Sequence, residues 1–418
     1  MATRSEKKDG SSRGIVTSRS FQNFVSNTGA LDLGFIGPKF TWSNQRVGWA
    51  NVKERLDREL CNDDWQRLFP KAGIRHLMAP NSDHNPILLD THLDLYKGIK
   101  PFRFEAMWAR DKSSVEIVDQ AWALQVEGSH GFCLSKRFQK VQKDLVQWNK
   151  YFFGATRTRI KELEEKITKI QNLDPTQENL ALEAFLSAEL NEWLEREELK
   201  WRQKSRELWL KEGDRNSKFF HLSTIVCRRR NQIIEIQLED GSWIHLRDNI
   251  VDYFAHHFAE VFQSSSPQVP PDLEGLISPC ISANENFELT RILNAEEIKK
   301  VVWDMNPLKA PGPDGFPGLF FRRYWDIVGY QVIDVVQSFF REGWLLKQMN
   351  HTFITLIPKK QGACNFNHSR PISLCNFYYK IISKILVLRL RLLLAKLIDP
   401  SQAAFIPDRW IAENVVLA

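Results

Sequence analysis

The sequence predicts an α+β protein with several domains, on the basis of its length, its composition and a change of pattern along the chain. The 418 residues suffice for two to four domains, and 43% hydrophobic and 26% charged residues are ordinary for a globular protein. Short apolar runs between Gly and Pro come first and predict strands, and an amphipathic, highly charged stretch then predicts helices. We expect a β-rich domain over residues 1–95, a mostly helical region over 96–262, a flexible linker over 263–290 and a further domain over 291–418.

Within the helical region, apolar residues spaced by three and four predict two antiparallel helices. The first stripe consists of Ile160, Leu163, Ile167 and Ile170, and the second of Leu182, Leu186, Leu190 and Trp193. Between the stripes, Asp174 is expected to cap the second helix. Pro175 suits the first helical position, and Gln177 stands where a capping box would place it.

Turn chemistry predicts the remaining elements. Asp240-Gly241 is the strongest short-range signal for a β-hairpin, which we expect near residues 233–246. The Ser- and Pro-rich stretch QSSSPQVPPDL predicts the linker. Asn294 and Glu297 are spaced as a capping box and predict a helix that ends near Met305, followed by the turn-rich loop LKAPGPDGFPG.

The charge is unevenly distributed, and this favours a nucleic-acid partner. From Lys299 onward there are 16 Lys and Arg against 8 Asp and Glu, a net charge of +8, whereas the rest of the chain carries 41 against 43.

The run KIISKILVLRLRLLLAKLI is interrupted by cations and predicts an amphipathic helix, not a membrane span. Six scattered cysteines and the absence of a secretory signal predict a reduced, intracellular protein of the nucleus or cytoplasm. The oligomeric state is not indicated.

Ser82-Asp83-His84 is the first group of residues with recognisable chemistry, and it follows Arg55-Leu56-Asp57 and Thr41-Trp42. An imidazole held by a carboxylate is suited to phosphodiester hydrolysis. The stretches FTWSN, RLDR and SDHNPIL resemble the endonuclease/exonuclease/phosphatase family, in the version carried by plant LINE-type (non-LTR) retrotransposons. The resemblance implies that His84 is the catalytic imidazole, that Asp57 orients it, and that Asp83 lies near the metal site. On spacing alone, an ordinary Asp–His surface pair is the alternative.

The same family uses Mg²⁺, which is held by a Glu and by a GDFN motif, and no GDFN occurs in this sequence. Residues 1–10 resemble the segment that follows this motif. We therefore expect residues 1–95 to be the C-terminal part of the nuclease β-sandwich. We also expect no complete metal site and no tight binding of Mg²⁺, the cofactor of the ancestral enzymes.

The C-terminal blocks HTFITLIPKK, SRPISL and SQAAFIPDRW resemble, in this order, the fingers region of the plant LINE-type reverse transcriptase. The resemblance implies that Lys359, Lys360, Arg370 and Arg409 contact nucleotide or nucleic-acid phosphates. The alternative is that these cations are solvated turn charges. Asp408 replaces the usual Gly and is expected to restrict a tight turn. The two aspartates of a polymerase palm are not found after these blocks.

Taken in order, the motifs predict a truncated LINE-type retrotransposon protein with part of an endonuclease, a helical linker and the N-terminal fingers part of an RNA-directed DNA polymerase. We expect it to be catalytically inactive as it stands. One alternative is a module that binds nucleic acid weakly and without sequence preference through its basic C-terminal third. Another is a piece of a longer gene product. These interpretations differ in what they predict for nuclease activity and for salt-dependent binding.

Overall fold

The structure is a computed structural model, and it describes residues 6–8, 19–28, 30–69, 72–79, 82–93, 101–153, 156–205, 220, 224, 227, 231, 233, 236–244, 246–266, 268, 280–359, 365–399, 401–403, 406 and 408–409. The chain divides into two units, each built from segments distant in sequence. The first unit comprises Met1–Lys100, Glu207–Gln263 and Thr355–Ile372. The second unit comprises Pro101–Arg206, Ser264–Ile354 and Ser373–Ala418.

Helices and short strands both occur in the described residues. The helices are α1 (Arg19–Thr28), α2 (Asp63–Leu68), α3 (Ser113–Trp122), α4 (His130–Trp148), α5 (Thr156–Gln171), α6 (Gln177–Ser205), α7 (Arg247–Phe262), α8 (Ala283–Thr290), α9 (Ala295–Asp304), α10 (Gly318–Arg323), α11 (Trp325–Glu342), α12 (Phe377–Arg391) and α13 (Leu394–Leu397). The strands are β1 (Lys7–Lys8), β2 (Leu31–Asp32), β3 (Trp42–Ser43), β4 (Lys53–Glu54), β5 (Leu60–Cys61), β6 (Gly73–His76), β7 (Ile87–Asp90), β8 (Ile236–Gln237), β9 (Trp243–Ile244), β10 (Thr352–Pro358) and β11 (Ser369–Cys375). This mixture confirms the α+β class.

Small antiparallel sheets bring the three nuclease-like motifs of the first unit together. Strand β4 lies between β1 and β3, while β2 pairs with β5 and β6 pairs with β7. Trp42 of β3 lies opposite Glu54 of β4, so the segment at Thr41 is adjacent to the segment that begins at Arg55. A single antiparallel bridge joins Trp42 to His84. The register of β3 and β4 therefore determines which side chains can meet.

Strands β8 and β9 of the first unit form a hairpin around Asp240-Gly241. Gly241 has a φ of +84°, a conformation that glycine adopts without strain, and the Ser242 N–H donates to Asp240 Oδ1 at 2.9 Å. Ile236 of β8 packs with Ile250 and Phe254 of α7 in a separate apolar cluster.

An aromatic core holds the second unit together. Valines on α11, spaced by three and four residues, are fully or nearly fully buried, and they pack in one cluster with aromatic rings from α4, α10 and the segment before α3. The main members of this cluster are Phe104, Phe138, Phe316, Phe320, Phe321, Tyr324, Val328, Val332 and Val336. Rings such as those of Phe104 and Phe320, whose centroids are 5.4 Å apart, meet edge to face.

The helical hairpin of the second unit consists of α5 and α6, with Leu163, Ile167 and Leu186 buried between them. The prediction that Asp174 caps the second helix is wrong. The helix begins at Gln177, and the cap is Thr176, whose Oγ1 accepts the Asn179 N–H at 3.2 Å.

Capping boxes open two further helices of the second unit, one where the sequence predicted a helix and one where it did not. Asn294 and Glu297 form the capping box that opens α9, which ends at Asp304, one residue before the expected end. Ser282 and Glu285 form a second capping box and open α8 within the range predicted as a flexible linker.

The run predicted as amphipathic forms α12, with one buried face, and α13. None of the described helices combines the length and the apolar character that a membrane crossing requires.

Candidate functional site

Thr41 organises the candidate site of the first unit. Its side chain is fully buried, and Thr41 Oγ1 accepts the backbone N–H groups of Leu56 and Asp57, each at 3.0 Å. The Thr41 carbonyl oxygen in turn accepts the Asn85 N–H at 2.7 Å. One buried threonine thus fixes the backbone on both sides of the site, the segment that bears Asp57 and the segment that bears His84.

Asp57 and His84 form a hydrogen-bonded pair at the surface. The distance from His84 Nδ1 to Asp57 Oδ2 is 2.9 Å, and the side chains remain 47% and 36% exposed respectively. Burial acts to raise the pKa of Asp57, but the hydrogen bonds from His84 and Thr41 outweigh it and lower that pKa below its usual value. The carboxylate therefore stays ionised and holds the imidazole, while the exposed ring leaves Nε2 accessible to a large substrate.

Asp83 is adjacent to this pair but has a different partner. Its Oδ2 accepts the Trp42 indole N–H at 3.1 Å, and its carbonyl oxygen accepts the Ser43 N–H at 2.9 Å. The structure thus brings together Asp57, Asp83 and His84, the three residues predicted for the nuclease-like site. Asp83 is hydrogen-bonded to β3, and Asp57 is hydrogen-bonded to the imidazole.

Behind the site lies a buried ion-pair network that the sequence analysis missed. Arg55 is 3% exposed and donates to both carboxylate oxygens of Asp32, at 2.9 and 2.7 Å, while Arg58 and Glu6 complete the network. Burial acts to raise the pKa of Asp32, but the Arg55 guanidinium outweighs it and lowers that pKa. Because Arg55 is two residues before Asp57, this network anchors the segment that bears the Asp57 carboxylate. The two arginines of the RLDR motif, Arg55 and Arg58, are the feature of the sequence from which this network could have been predicted.

The donor set does not fit Mg²⁺ within the described part of the chain. This ion prefers several oxygen ligands in octahedral geometry, and the described residues contain no group of three or more Asp, Glu, His or Cys side chains placed to hold a metal ion. One oxygen of Asp83, the expected metal neighbour, already accepts the Trp42 indole N–H. Among the described residues, the groups that this site offers for phosphodiester chemistry are therefore the imidazole and its carboxylate.

Two of the predicted phosphate-binding cations belong to the segment Thr355–Ile372 of the first unit. Lys359 follows β10, and its Nζ donates to the Asn367 carbonyl oxygen at 2.9 Å. Arg370 is on β11, and its exposed side chain has no hydrogen-bond or ion-pair partner among the described residues. Lys360 lies outside the described residues.

Arg409 belongs to the second unit and binds backbone. Its guanidinium donates to four carbonyl oxygens, those of Ala395, Ile398, Asp399 and Gln402. Arg322, Arg389 and Lys380 also donate to carbonyl oxygens of neighbouring segments. Carbonyl oxygens near helix ends lack intrahelical partners, so the three arginines act as caps, whereas Lys380 binds Ala310 in the loop after α9. These four cations of the C-terminal region therefore bind the backbone of the second unit itself.

The fold and site define an α+β protein with an exposed imidazole–carboxylate pair. No protein-family model matches the chain. It is similar to the transposon TX1 uncharacterized 149 kDa protein of Xenopus laevis, with 28% identity over 407 aligned residues that cover 90% of this chain. The same alignment covers 29% of the Xenopus protein, so the chain spans less than a third of the length of this relative. The similarity supports a relationship to a protein of a transposable element.

Proposed function

We propose that this chain is part of a non-LTR retrotransposon protein of the plant LINE type that binds nucleic acid. In this proposal it carries the imidazole–carboxylate half of a phosphodiester-cleaving site and does not cleave DNA on its own. The observation that carries the proposal is the 2.9 Å contact between His84 and Asp57, held in place by a buried threonine. The similarity to the transposon TX1 protein and the order of the sequence motifs support the class of element.

The pair can perform one half of a hydrolytic reaction. With Nδ1 bonded to the Asp57 carboxylate, Nε2 of His84 can accept a proton or place a positive charge beside a scissile phosphate. The ionised Asp57 orients the ring, because its Oδ2 is hydrogen-bonded to Nδ1 and leaves Nε2 as the nitrogen that can face a substrate. The second half, which neutralises phosphate charge and positions the nucleophile, is assigned by resemblance to the Glu and GDFN residues. The GDFN residues do not occur in this sequence.

A nicking assay tests the catalytic part of the proposal. Purified full-length chain is incubated with supercoiled plasmid and Mg²⁺ or Mn²⁺, and we expect no conversion to the open circle. Nicking that disappears in His84→Ala but persists in His92→Ala, another exposed histidine of the same unit, would overturn the proposal.

Binding without catalysis is the second part of the proposal. The sequence-based candidates in the first unit are Lys359 and Arg370, and both are exposed. We expect full-length chain to bind labelled oligonucleotides with a dissociation constant of roughly 10⁻⁴ to 10⁻⁶ M and to bind more weakly as salt increases. Lys359→Gln with Arg370→Gln should reduce the slope of log affinity against log salt by about 1 to 2. Absence of binding at low salt would refute this part.

A further inference from the structure

Helix α4 and the turn after it carry a basic surface that is separate from the candidate site. Lys136, Lys143 and Lys150 recur every seven residues, so they lie along one side of the helix, roughly 10 Å apart. All three side chains are exposed. Over residues 130–152 there are five Lys and Arg against one Asp, although this stretch belongs to the part of the chain that is near neutral in sum.

The lysines of this stripe are not neutralised by carboxylates among the described residues. The one acid of the stretch, Asp144, pairs with Lys140 at 2.8 Å and leaves the stripe unpaired. Lys136 lies 5.4 Å from the centre of the Phe132 ring and Lys150 lies 6.0 Å from the Tyr151 ring. These contacts orient the ammonium groups but do not cancel their charge. The stripe is thus a row of available cations.

Two exposed aromatic side chains stand at the end of the stripe. Tyr151 and Phe152 are 73% and 71% exposed, and they lie in a π-helical turn over Asn149–Phe153. The Phe152 ring stacks on buried Trp148 at 6.2 Å, and the Trp148 indole N–H donates to Ser113 Oγ at 3.2 Å. One face of the Phe152 ring therefore packs on Trp148, while most of the side chain faces solvent. Adjacent exposed aromatic rings on a rigid support are typical of interaction sites.

An open groove contains two of these lysines, Lys143 and Lys150, and the Tyr151 ring. It has a volume of about 530 Å³ and is lined by Gln139, Gln142, Lys143, Val146, Gln147, Lys150 and Tyr151. Glutamine amides can donate to phosphate oxygens and can both donate to and accept from base edges. The groove thus combines positive charge, adaptable hydrogen-bonding groups and an aromatic end.

We infer that this α4 surface, defined by Lys136, Lys143, Lys150, Tyr151 and Phe152, binds single-stranded nucleic acid. The lysines contact successive parts of the phosphate backbone, and the aromatic rings stack on unpaired bases. A single strand fits better than a duplex, because duplex bases are already stacked on each other and do not present a free face. The inference rests on the proposal that the chain binds nucleic acid, and it identifies a surface outside the sequence-based candidates.

Two variants of the full-length chain test the aromatic half. Tyr151→Ala with Phe152→Ala should weaken binding of a fluorescent single-stranded oligonucleotide roughly five- to a hundredfold, the range that base stacking on aromatic side chains supplies. Binding of the matching duplex should change less. The control is Phe185→Ala on α6, which removes another exposed aromatic ring, 66% exposed, and should leave both affinities unchanged.

A charge-matched pair of variants tests the basic half. Replacing Lys136, Lys143 and Lys150 by Gln should reduce the slope of log affinity against log salt for single strands by about 2, since each lost phosphate contact removes about 0.7. The control replaces Lys161, Lys166 and Lys169, which are exposed on α5 among glutamates, and alters net charge by the same amount. Circular dichroism verifies that each variant is folded.

The outcomes separate the inference from the proposed function. If the parent binds but the α4 variants match their controls, the inference is overturned and the proposed binding function stands. A parent that binds no nucleic acid at low salt overturns both. Weaker binding to single strands in both α4 variants, with unchanged binding in the controls, supports the inference.

Discussion

Asp314 should make the stability of the second unit depend on pH in an unusual direction. This residue is in the loop LKAPGPDGFPG, which packs against the start of α12, and its backbone N–H donates to Asn376 Oδ1 at 3.0 Å. Asp314 Oδ1 accepts the Phe316 N–H at 3.1 Å, whereas its Oδ2 is buried without a hydrogen-bond partner among the described residues. Burial raises the pKa of Asp314 to about 7, although the nearby charge of Lys380 opposes the rise.

The sign and size of this pH dependence follow from the coupling between folding and proton binding. The pKa is about 7 in the folded chain and 3.8 in the unfolded reference, so the folded state holds the proton more tightly. The stabilising contribution is complete below pH 3.8 and is lost as the pH rises through 7. A shift of roughly three pH units corresponds to about 4 kcal/mol, of which about 2.5 kcal/mol disappears between pH 5 and pH 8.

Comparison with Asp314→Asn isolates this contribution, because asparagine is neutral at every pH used. Urea unfolding of both proteins at pH 5 and pH 8 gives the difference in unfolding free energy, and constant effects of the substitution cancel. We expect the variant to gain about 2.5 kcal/mol relative to the parent between the two pH values. Asp304→Asn, an exposed carboxylate on α9, controls for the lost charge. A difference that is the same at both pH values within 1 kcal/mol would refute the reasoning.

Two further substitutions test local features. Arg55→Met should lower the free energy of unfolding by about 3 kcal/mol in thermal or urea denaturation, because it leaves the carboxylate of Asp32 without its buried bidentate partner. Arg46→Met, at an exposed position, should change the same quantity little, and equal effects of both would contradict the assignment. Asp408→Gly should raise the unfolding free energy by roughly 0.5 to 1 kcal/mol, since Asp408 has a φ of +61°, which disfavours residues with a Cβ. A loss of stability in this variant would contradict that reasoning.

Local features of the fold were predictable from the sequence. The capping box of Asn294 and Glu297 involves residues three apart, and it opens α9 as expected. The Asp240-Gly241 turn likewise depends on residues that are adjacent in sequence. Asp174 was the wrong cap because Thr176, two residues later, is also a good capping residue, and pattern alone does not decide between them. The assembly of each unit from segments distant in sequence involves contacts that periodicity does not encode.

The candidate site was predictable only in part, for the same physical reason. The resemblance of the SDH and RLD motifs to a nuclease family indicated Asp57 and His84, and the structure places them 2.9 Å apart. The ion-pair network around Arg55 joins residues 23 to 52 positions apart in sequence, and no local pattern relates them. Burial of a charged side chain depends on such distant partners, so it becomes visible only in the folded chain.

The distribution of charge shows why net charge is a poor guide to a phosphate-binding surface. The C-terminal region has a net charge of +8, yet Arg409 and Arg389 direct their guanidinium groups at backbone carbonyl oxygens of the second unit. The lysines at 136 and 143 lie in a region that is near neutral in sum, but among the described residues they have no carboxylate partner. A cation contributes to phosphate binding only while its charge remains accessible, because contacts with the protein's own acceptors compete with the ligand. Accessible cations next to exposed aromatic rings therefore favour α4 over the C-terminal region as the surface for single strands.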